Sequence, residues 1–246
     1  MDLNLLCKTY LITGAGSGIG RETSLVLARE GANVVIMDIN PQGLAETASL
    51  GGDRCHPIVV DLTNETAVSE VVFQTVEKYG KLDGLVHCAG ISSRKPLNVL
   101  SKNGFSKVMD VNFYSFVELV KQCAKKKHIN DGASIVVMSS ISSIKGYKAK
   151  TEYCVSKAAV DAFVRCMALE LADRKIRINS VMAAEVLTPL ALKAKEMNAA
   201  VGASDFNAPL GPSAPYEVAN TIAFLLSDVT KTITGTSILI DGGACV

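Results

Sequence analysis

Seven short runs of β-branched and aliphatic residues, all but the last followed by a longer amphipathic stretch, leave few ways for this chain to fold. The runs are Thr9–Thr13, Val34–Asp38, His56–Val60, Gly84–His87, Ser134–Ser139, Arg177–Val181 and Ser237–Ile240. They are apolar at consecutive positions, as strands covered on both faces are. The stretches between them carry helical periodicity: Ile19–Glu30, Pro41–Leu50, Thr66–Lys78, Ser106–Lys126, Thr151–Ala172 and Tyr216–Ser227. Such alternation, with right-handed crossovers, predicts an α/β fold: a Rossmann-like, doubly wound parallel sheet of about seven strands with helices on both faces. No repeat, low-complexity tract or Pro/Gly linker divides residues 1–246, so a single domain is expected. Residues 190–215, rich in Ala, Gly and Pro, read as an insertion able to cover a site.

Composition narrows the function. A formal net charge of +1 offers nothing to a polyanion, which argues against nucleic acid as a partner. Runs such as "VVIM" and "SIVVM" are far too short to span a membrane. "MDLNLLCKTYLITG" reads as the approach to a first strand rather than a signal peptide. The 7 cysteines include no CxxC pair and several sit in apolar stretches, so buried free thiols in a reducing, cytoplasmic setting are expected. The 3 histidines, His56, His87 and His128, have no ligand spacing, and no metal is expected.

"LITGAGSGIG", residues 11–20, follows the first strand and opens the first helix. Gly14, Gly18 and Gly20 allow a tight turn and close approach of a pyrophosphate to backbone N–H groups at a helix N-terminus. A glycine-rich turn with no ligand is the alternative. Against it, the next strand ends in Asp38, 18 residues past Gly20, where an acidic side chain accepts bonds from adenosine ribose hydroxyls and repels a 2′-phosphate. Ser17 and Ile39 stand where a compensating cation would be, so NAD is favoured over NADP. Asp38 also suits a turn before Asn40-Pro41, and both roles can hold together.

"YCVSK", residues 153–157, sets Tyr153 and Lys157 at i and i+4 on one helix face. By itself this is compatible with two residues that merely share a helix. In order along the chain, "TGAGSGIG", "DLT", "HCAG", "VNF", "MSSISS", "YCVSK", "IRINSV", "LTP" and "ITGTSILIDGG" together resemble the short-chain dehydrogenases/reductases, in their compact single-domain form, over essentially the whole length. The resemblance implies an NAD(P)-binding catalytic domain that interconverts a secondary alcohol and a ketone. It implies Tyr153 as general acid/base, Lys157 lowering its pKa and binding the nicotinamide ribose, Ser140 bonding the substrate oxygen, and Asn112 holding a water for proton relay. A phenol titrates near ~10 and acid/base work wants it near ~7, a gap of roughly 4 kcal/mol that the Lys157 ammonium and an oxidised nicotinamide can close. Cofactor contacts are implied at Gly14, Ser17, Gly18, Ile19, Gly20, Asp38, Asp61, Leu62, Ala89, Gly90, Tyr153, Lys157, Val186 and Thr188. Bland readings stand beside these: Ser139, Ser142 and Ser143 rival Ser140, Asn112 can bridge a helix break, and Thr188 can be a turn residue before Pro189.

Two departures from the family pattern stand out. His87-Cys88 replaces an Asn pair that braces sheet and loop, and His87 is expected to be a satisfied interior residue. Ala183-Ala184 stands where Pro-Gly is common; if that glycine position needs φ > 0, Ala184 costs roughly 1–2 kcal/mol, and a shifted backbone is the expected way out. Lys145, Lys148 and Lys150, with Tyr147 among them, read as a solvated loop, or as a patch for an anionic substrate or carrier protein. Similarity in layout to 3-oxoacyl-carrier-protein reductases makes that NADPH-linked activity the first alternative. A non-catalytic dinucleotide sensor or scaffold is an alternative of another class. Val108–Val120 and Val155–Leu171 are apolar on more than one face, so a homo-oligomer is expected, a dimer or, as the resemblance implies, a tetramer.

Overall fold

The structure, a computed structural model, describes residues 2–193 and 208–246. Seven parallel strands form one sheet: β1 (Thr9–Thr13), β2 (Asn33–Asp38), β3 (Cys55–Val59), β4 (Leu82–His87), β5 (Ile129–Ser140), β6 (Arg177–Ala183) and β7 (Ser237–Ile240). Their order is β3-β2-β1-β4-β5-β6-β7. The chain winds outward from β1, returns, and winds outward the other way from β4. That reversal opens a crevice at the carboxyl ends of β1 and β4, the place where sheets of this kind take ligands.

Helices α1 (Gly18–Arg29), α2 (Pro41–Gly51), α3 (Glu65–Tyr79), α4 (Lys102–Met109), α5 (Ser115–Cys123), α6 (Thr151–Glu170) and α7 (Pro215–Leu226) cover the two faces. Because strand side chains alternate, β1 feeds both cores. Leu11 packs with Val72, Leu119 and Val164 from α3, α5 and α6, while Tyr10 and Ile12 pack with Leu27, Leu44 and Ile222 from α1, α2 and α7. Burial on both faces explains the unbroken apolar runs of the central strands. The edges differ: in β3 only Cys55 is buried, with half-buried and exposed positions alternating after it, and β7 is half-buried. Pro57 sits in β3, where one side of the strand needs no ladder bond.

The expected helix Ser106–Lys126 is corrected. It starts earlier, at Lys102, because the Ser101 hydroxyl caps the Gly104 N–H. A π-helical turn, Asp110–Tyr114, interrupts it, and it ends at Cys123. The thiol expectation is corrected in part: all cysteines are free, but Cys7 and Cys166 are exposed. So is the lysine loop. Lys150 is buried, its Nζ 5.0 Å above the Tyr147 ring, and only its neighbours are solvated. Most of the expected covering stretch, residues 194–207, lies outside the described residues.

Candidate active site

The site is built at the crevice. Gly14 has φ +66° and a Cβ there would lie 2.7 Å from the Ala89 amide nitrogen, while a Cβ on Gly20 would strike the Gly14 carbonyl oxygen. The loop is therefore a cradle that only bare backbone fits. Ser17, at the start of α1, makes no side-chain cap, so the first-turn N–H groups stay open to an anion. The Asp38 carboxylate accepts from the Gly16 N–H at 2.9 Å and from the Asn40 N–H at 2.9 Å. Each oxygen keeps acceptor capacity for a ribose hydroxyl, so its turn role and its ligand role coexist. Arg21, which the motif reading passed over, is spent on the loop itself. It donates to the Gly16 carbonyl at 2.6 Å and pairs with Glu46 at 2.7 Å.

His87 braces this loop. Ser115 Oγ donates to the Val111 carbonyl at 2.7 Å, so towards His87 Nε2, 3.5 Å away, it acts as acceptor. The proton then sits on Nε2, and Nδ1 accepts from the Thr13 hydroxyl at 2.9 Å, whose oxygen takes the Ala89 N–H at 3.3 Å. One chain of bonds thus runs from the end of β1 to the π turn. Burial, aided by the Lys157 charge, keeps His87 neutral, pushed down to about 3. An unfolded His titrates near ~6.5. The stability that neutral His87 contributes is complete above ~6.5 and is lost as pH falls towards about 3, because only the unfolded chain takes up the proton. His87→Asn is therefore expected to remove roughly 1.4 kcal/mol per pH unit of acid sensitivity. Melting temperature against pH measures this, and an unchanged slope would refute it.

Asn112 projects from the π turn with no exposure. Its Oδ1 accepts the Ile91 N–H at 2.7 Å, and its Nδ2 donates to the Ile91 carbonyl and to Ser156 Oγ, each at 3.0 Å. Both amide hydrogens are used, so any relay water at Asn112 must be held by an oxygen. Beside it, Lys157 Nζ donates to the Met138 carbonyl at 2.8 Å and lies 5.7 Å from the Tyr153 ring centroid. The Ser140 side chain beside the Tyr153 phenol lowers its pKa, but burial is the larger cause and pushes it up to about 12. Burial likewise draws Lys157 down to about 8, against the pull of Asp161. In the protein alone desolvation is thus the larger influence on Tyr153. Ser140 is the serine that meets Tyr153; Ser139 is turned instead to Asp161, at 2.9 Å.

The remaining expected contacts line the same crevice or its rim. Thr188 reaches over the loop, its Cγ2 3.0 Å from where a Gly18 Cβ would lie, and Val186 bridges to Ser213. Ala184 is absent from the left-handed region and donates its N–H to Ile240 at 3.0 Å, so the Pro-Gly departure leaves no strain. Asp61 follows β3, held ionised by the Thr63 N–H and hydroxyl, with Leu62 buried beside it. A network outside the motifs anchors the start of α6. Glu152, 1% exposed, takes a hydrogen bond from Ser93 and an ion pair from Lys95 at 3.3 Å. It ties the loop after β4 to the helix that carries Tyr153.

The glycine cradle, the open helix N-terminus, Asp38 and the Ser140–Tyr153–Lys157 group together fit a dinucleotide with its reacting ring beside Tyr153. The family described as enoyl-(acyl carrier protein) reductase matches residues 14–245. A 3-oxoacyl-[acyl-carrier-protein] reductase FabG of Thermotoga maritima is 36% identical over 244 residues, covering 97% of this chain and 98% of the relative. This chain belongs to the short-chain dehydrogenase/reductase family. An NAD-dependent glycerol dehydrogenase of Listeria innocua is 29% identical over 248 residues, covering 98% of this chain and 95% of its own. Among solved structures, a short-chain dehydrogenase/reductase of Brucella melitensis, described as a glucose/ribitol dehydrogenase, superposes with TM-score 0.91 at 27% identity over 100% of both chains. The aldohexose dehydrogenase of Thermoplasma acidophilum superposes with TM-score 0.88 at 29% identity, over 99% and 96% of the two chains. As a short-chain dehydrogenase/reductase, this chain is an NAD(P)-dependent oxidoreductase acting on CH–OH groups.

Proposed function

We propose that the chain is an NAD-linked dehydrogenase that interconverts a secondary alcohol and a ketone, with Tyr153 as acid/base. The observation that carries this reading is the convergence of Ser140 and Tyr153 with Lys157, whose ammonium is seated on the Met138 carbonyl at 2.8 Å and lies 5.7 Å from the Tyr153 ring centroid. Gly14, Ser17, Gly18, Ile19 and Gly20 hold the pyrophosphate, Asp38 the adenosine ribose, Asp61 and Leu62 the adenine. Ala89, Gly90, Val186, Thr188 and Lys157 hold the nicotinamide half. When bound, the nicotinamide supplies or accepts the hydride. The protein manages the other charge. Tyr153 Oη takes the alcohol proton, or gives one to the ketone oxygen, while the Ser140 hydroxyl bonds that oxygen as its charge changes. Lys157 keeps positive charge beside the phenol, and Asn112 Oδ1 is the remaining acceptor for a relay water.

NAD is favoured because the Asp38 carboxylate faces the ribose position and Arg21 is committed to Gly16 and Glu46. Titration with NADH and NADPH by nicotinamide fluorescence tests it. NADH is expected to bind more tightly, and Asp38→Ala to weaken NADH on the order of 10-fold or more, the loss of charge-assisted bonds. Tighter NADPH binding would overturn this and bring forward the acyl-carrier-protein reductase reading, which the Thermotoga relative favours. We further propose one catalytic domain over residues 1–246, with 190–215 as its substrate cover, acting in the cytoplasm. No helix among the described residues is long and apolar enough to cross a membrane. Tyr114, Val155 and Leu169 expose 56%, 44% and 81% of their surface on or beside α5 and α6, which supports a homo-oligomer, dimer or tetramer. Light scattering is expected to give a multiple of 26.0 kDa, and a monomer at working concentration would refute it.

A further inference from the structure

The chemistry so described makes no use of Asp161. It lies one turn past Lys157 on α6 and is 5% exposed. Hydroxyls from three neighbouring strands gather at its carboxylate. Ser139 Oγ on β5 donates to Oδ2 at 2.9 Å, and Ser180 Oγ on β6 donates to Oδ1 at 2.7 Å. Ser237 Oγ on β7 lies 3.4 Å from Oδ1 but 2.7 Å from Ser180 Oγ. A hydroxyl has one proton, so Ser180 gives its own to Asp161 and accepts from Ser237. Among the described residues no cation stands within ion-pairing distance of Asp161.

A carboxylate buried among hydroxyls alone is costly, and apolar side chains of similar size would serve packing as well. What its charge reaches is Lys157, four residues back on the same helix face. The other groups around that ammonium carry no compensating charge. From β5 comes the Met138 carbonyl, a dipole only. From β4 and the residue after it come His87, neutral, and the Cys88 thiol, which burial pushes up to about 12. From the π turn comes the Asn112 amide, and from α6 itself the Tyr153 phenol, protonated at neutral pH. Burial draws the proton off Lys157, and Asp161 is the largest influence opposing it.

We propose that Asp161 is a positioning residue whose buried negative charge keeps Lys157 protonated and seated on the Met138 carbonyl. The proposal rests on the reading of Tyr153 and Lys157 as the acid/base pair, and it adds what holds that pair in its working charge state. Without Asp161 the lysine becomes neutral within the working pH range, loses its directed bond to Met138, and no longer supports an ionised Tyr153.

Lysine labelled with 13C at Cε, with the resonance assigned through Lys157→Met, reports this titration in the whole protein without turnover. The wild-type midpoint is expected at about 8, and Asp161→Asn is expected to lower it by about one pH unit. Ser139→Ala, which trims the network and keeps the charge, is expected to leave it in place. On a substrate that the wild type turns over, the alkaline limb of the pH–rate profile moves down with the midpoint in Asp161→Asn. An unmoved midpoint in that variant overturns the proposal, as does an equal shift in Ser139→Ala, which would mark packing rather than charge. A wild-type midpoint below ~7 overturns it too, and that measurement survives if Asp161→Asn fails to fold. A midpoint that moves while the activity limb stays leaves the hold of Asp161 on Lys157 standing and refutes the Tyr153–Lys157 reading instead.

Discussion

Tyr153→Phe is expected to lower kcat on the order of 10³-fold while leaving NADH affinity unchanged. The substitution removes one oxygen from a half-buried ring that already fits its place on α6, so the fold and the cofactor cradle have no reason to move. What goes is the hydroxyl proposed as proton donor and acceptor at the substrate oxygen. Steady-state rates on a secondary alcohol that the wild type oxidises, paired with fluorescence titration of NADH, separate the two effects. Full activity in the variant would place the acid/base elsewhere and sink the proposed mechanism. A wild type that binds NADH tightly yet turns over no member of a broad alcohol and ketone panel would favour the sensor reading. The fate of the proton also explains why burial can raise the Tyr153 pKa to about 12 in the protein alone without defeating catalysis. A phenol that stays protonated is poised to donate to a ketone, and the oxidised ring, when bound, adds the positive charge that oxidation of an alcohol requires.

The second large effect is expected at Gly14. Alanine there meets two penalties at once: a left-handed backbone at φ +66°, and a Cβ 2.7 Å from the Ala89 amide nitrogen. The first costs about 1–2 kcal/mol and the second about 1–3 kcal/mol, because the obstacle is backbone rather than a side chain that can swing aside. At ~2–4 °C per kcal/mol for a chain of this size, Gly14→Ala should melt about 4–20 °C below wild type, and it should lose NADH binding as the loop lifts from β4. Gly132→Ala is the control. It shares the positive φ, +83°, but its Cβ meets nothing within 4 Å, so it should pay the backbone penalty alone and keep full NADH affinity. If the two variants melt alike and both bind NADH, the close approach of Gly14 to Ala89 is not what shapes the cradle.

Much of this molecule is legible along the chain because its determinants are local. The runs Thr9–Thr13 and Ser237–Ile240 have the predicted bounds, and the other five strands differ at their ends. Consecutive burial on two faces writes itself directly into the hydrophobic pattern. The glycine loop and the Tyr153–Lys157 pair are legible for the same reason: a turn that needs bare backbone and a helix face that needs i, i+4 spacing are each defined within a few residues. The π turn is different. Ser106–Lys126 has an unbroken helical pattern, and the extra residue per turn is set by Asn112 bonding to Ile91 and Ser156, 21 and 44 positions away in sequence.

The same distinction divides the site. Residue types and spacing alone determined a parallel doubly wound sheet, a glycine loop that only bare backbone fits, an acidic end to β2 and a Tyr/Lys face, since each follows from sterics or periodicity within a short window. Charge states followed from folding. Whether Tyr153 is held high or low, whether His87 is neutral, whether Lys150 faces water and whether Ala184 is strained all depend on what distant segments exclude or supply. Asp161 is the clearest instance: its three serines lie 22, 19 and 76 positions from it and converge because β5, β6 and β7 are neighbours under α6. Desolvation and hydrogen bonding act through space over a few ångströms, so they are set by the packing of the sheet and not by proximity along the chain.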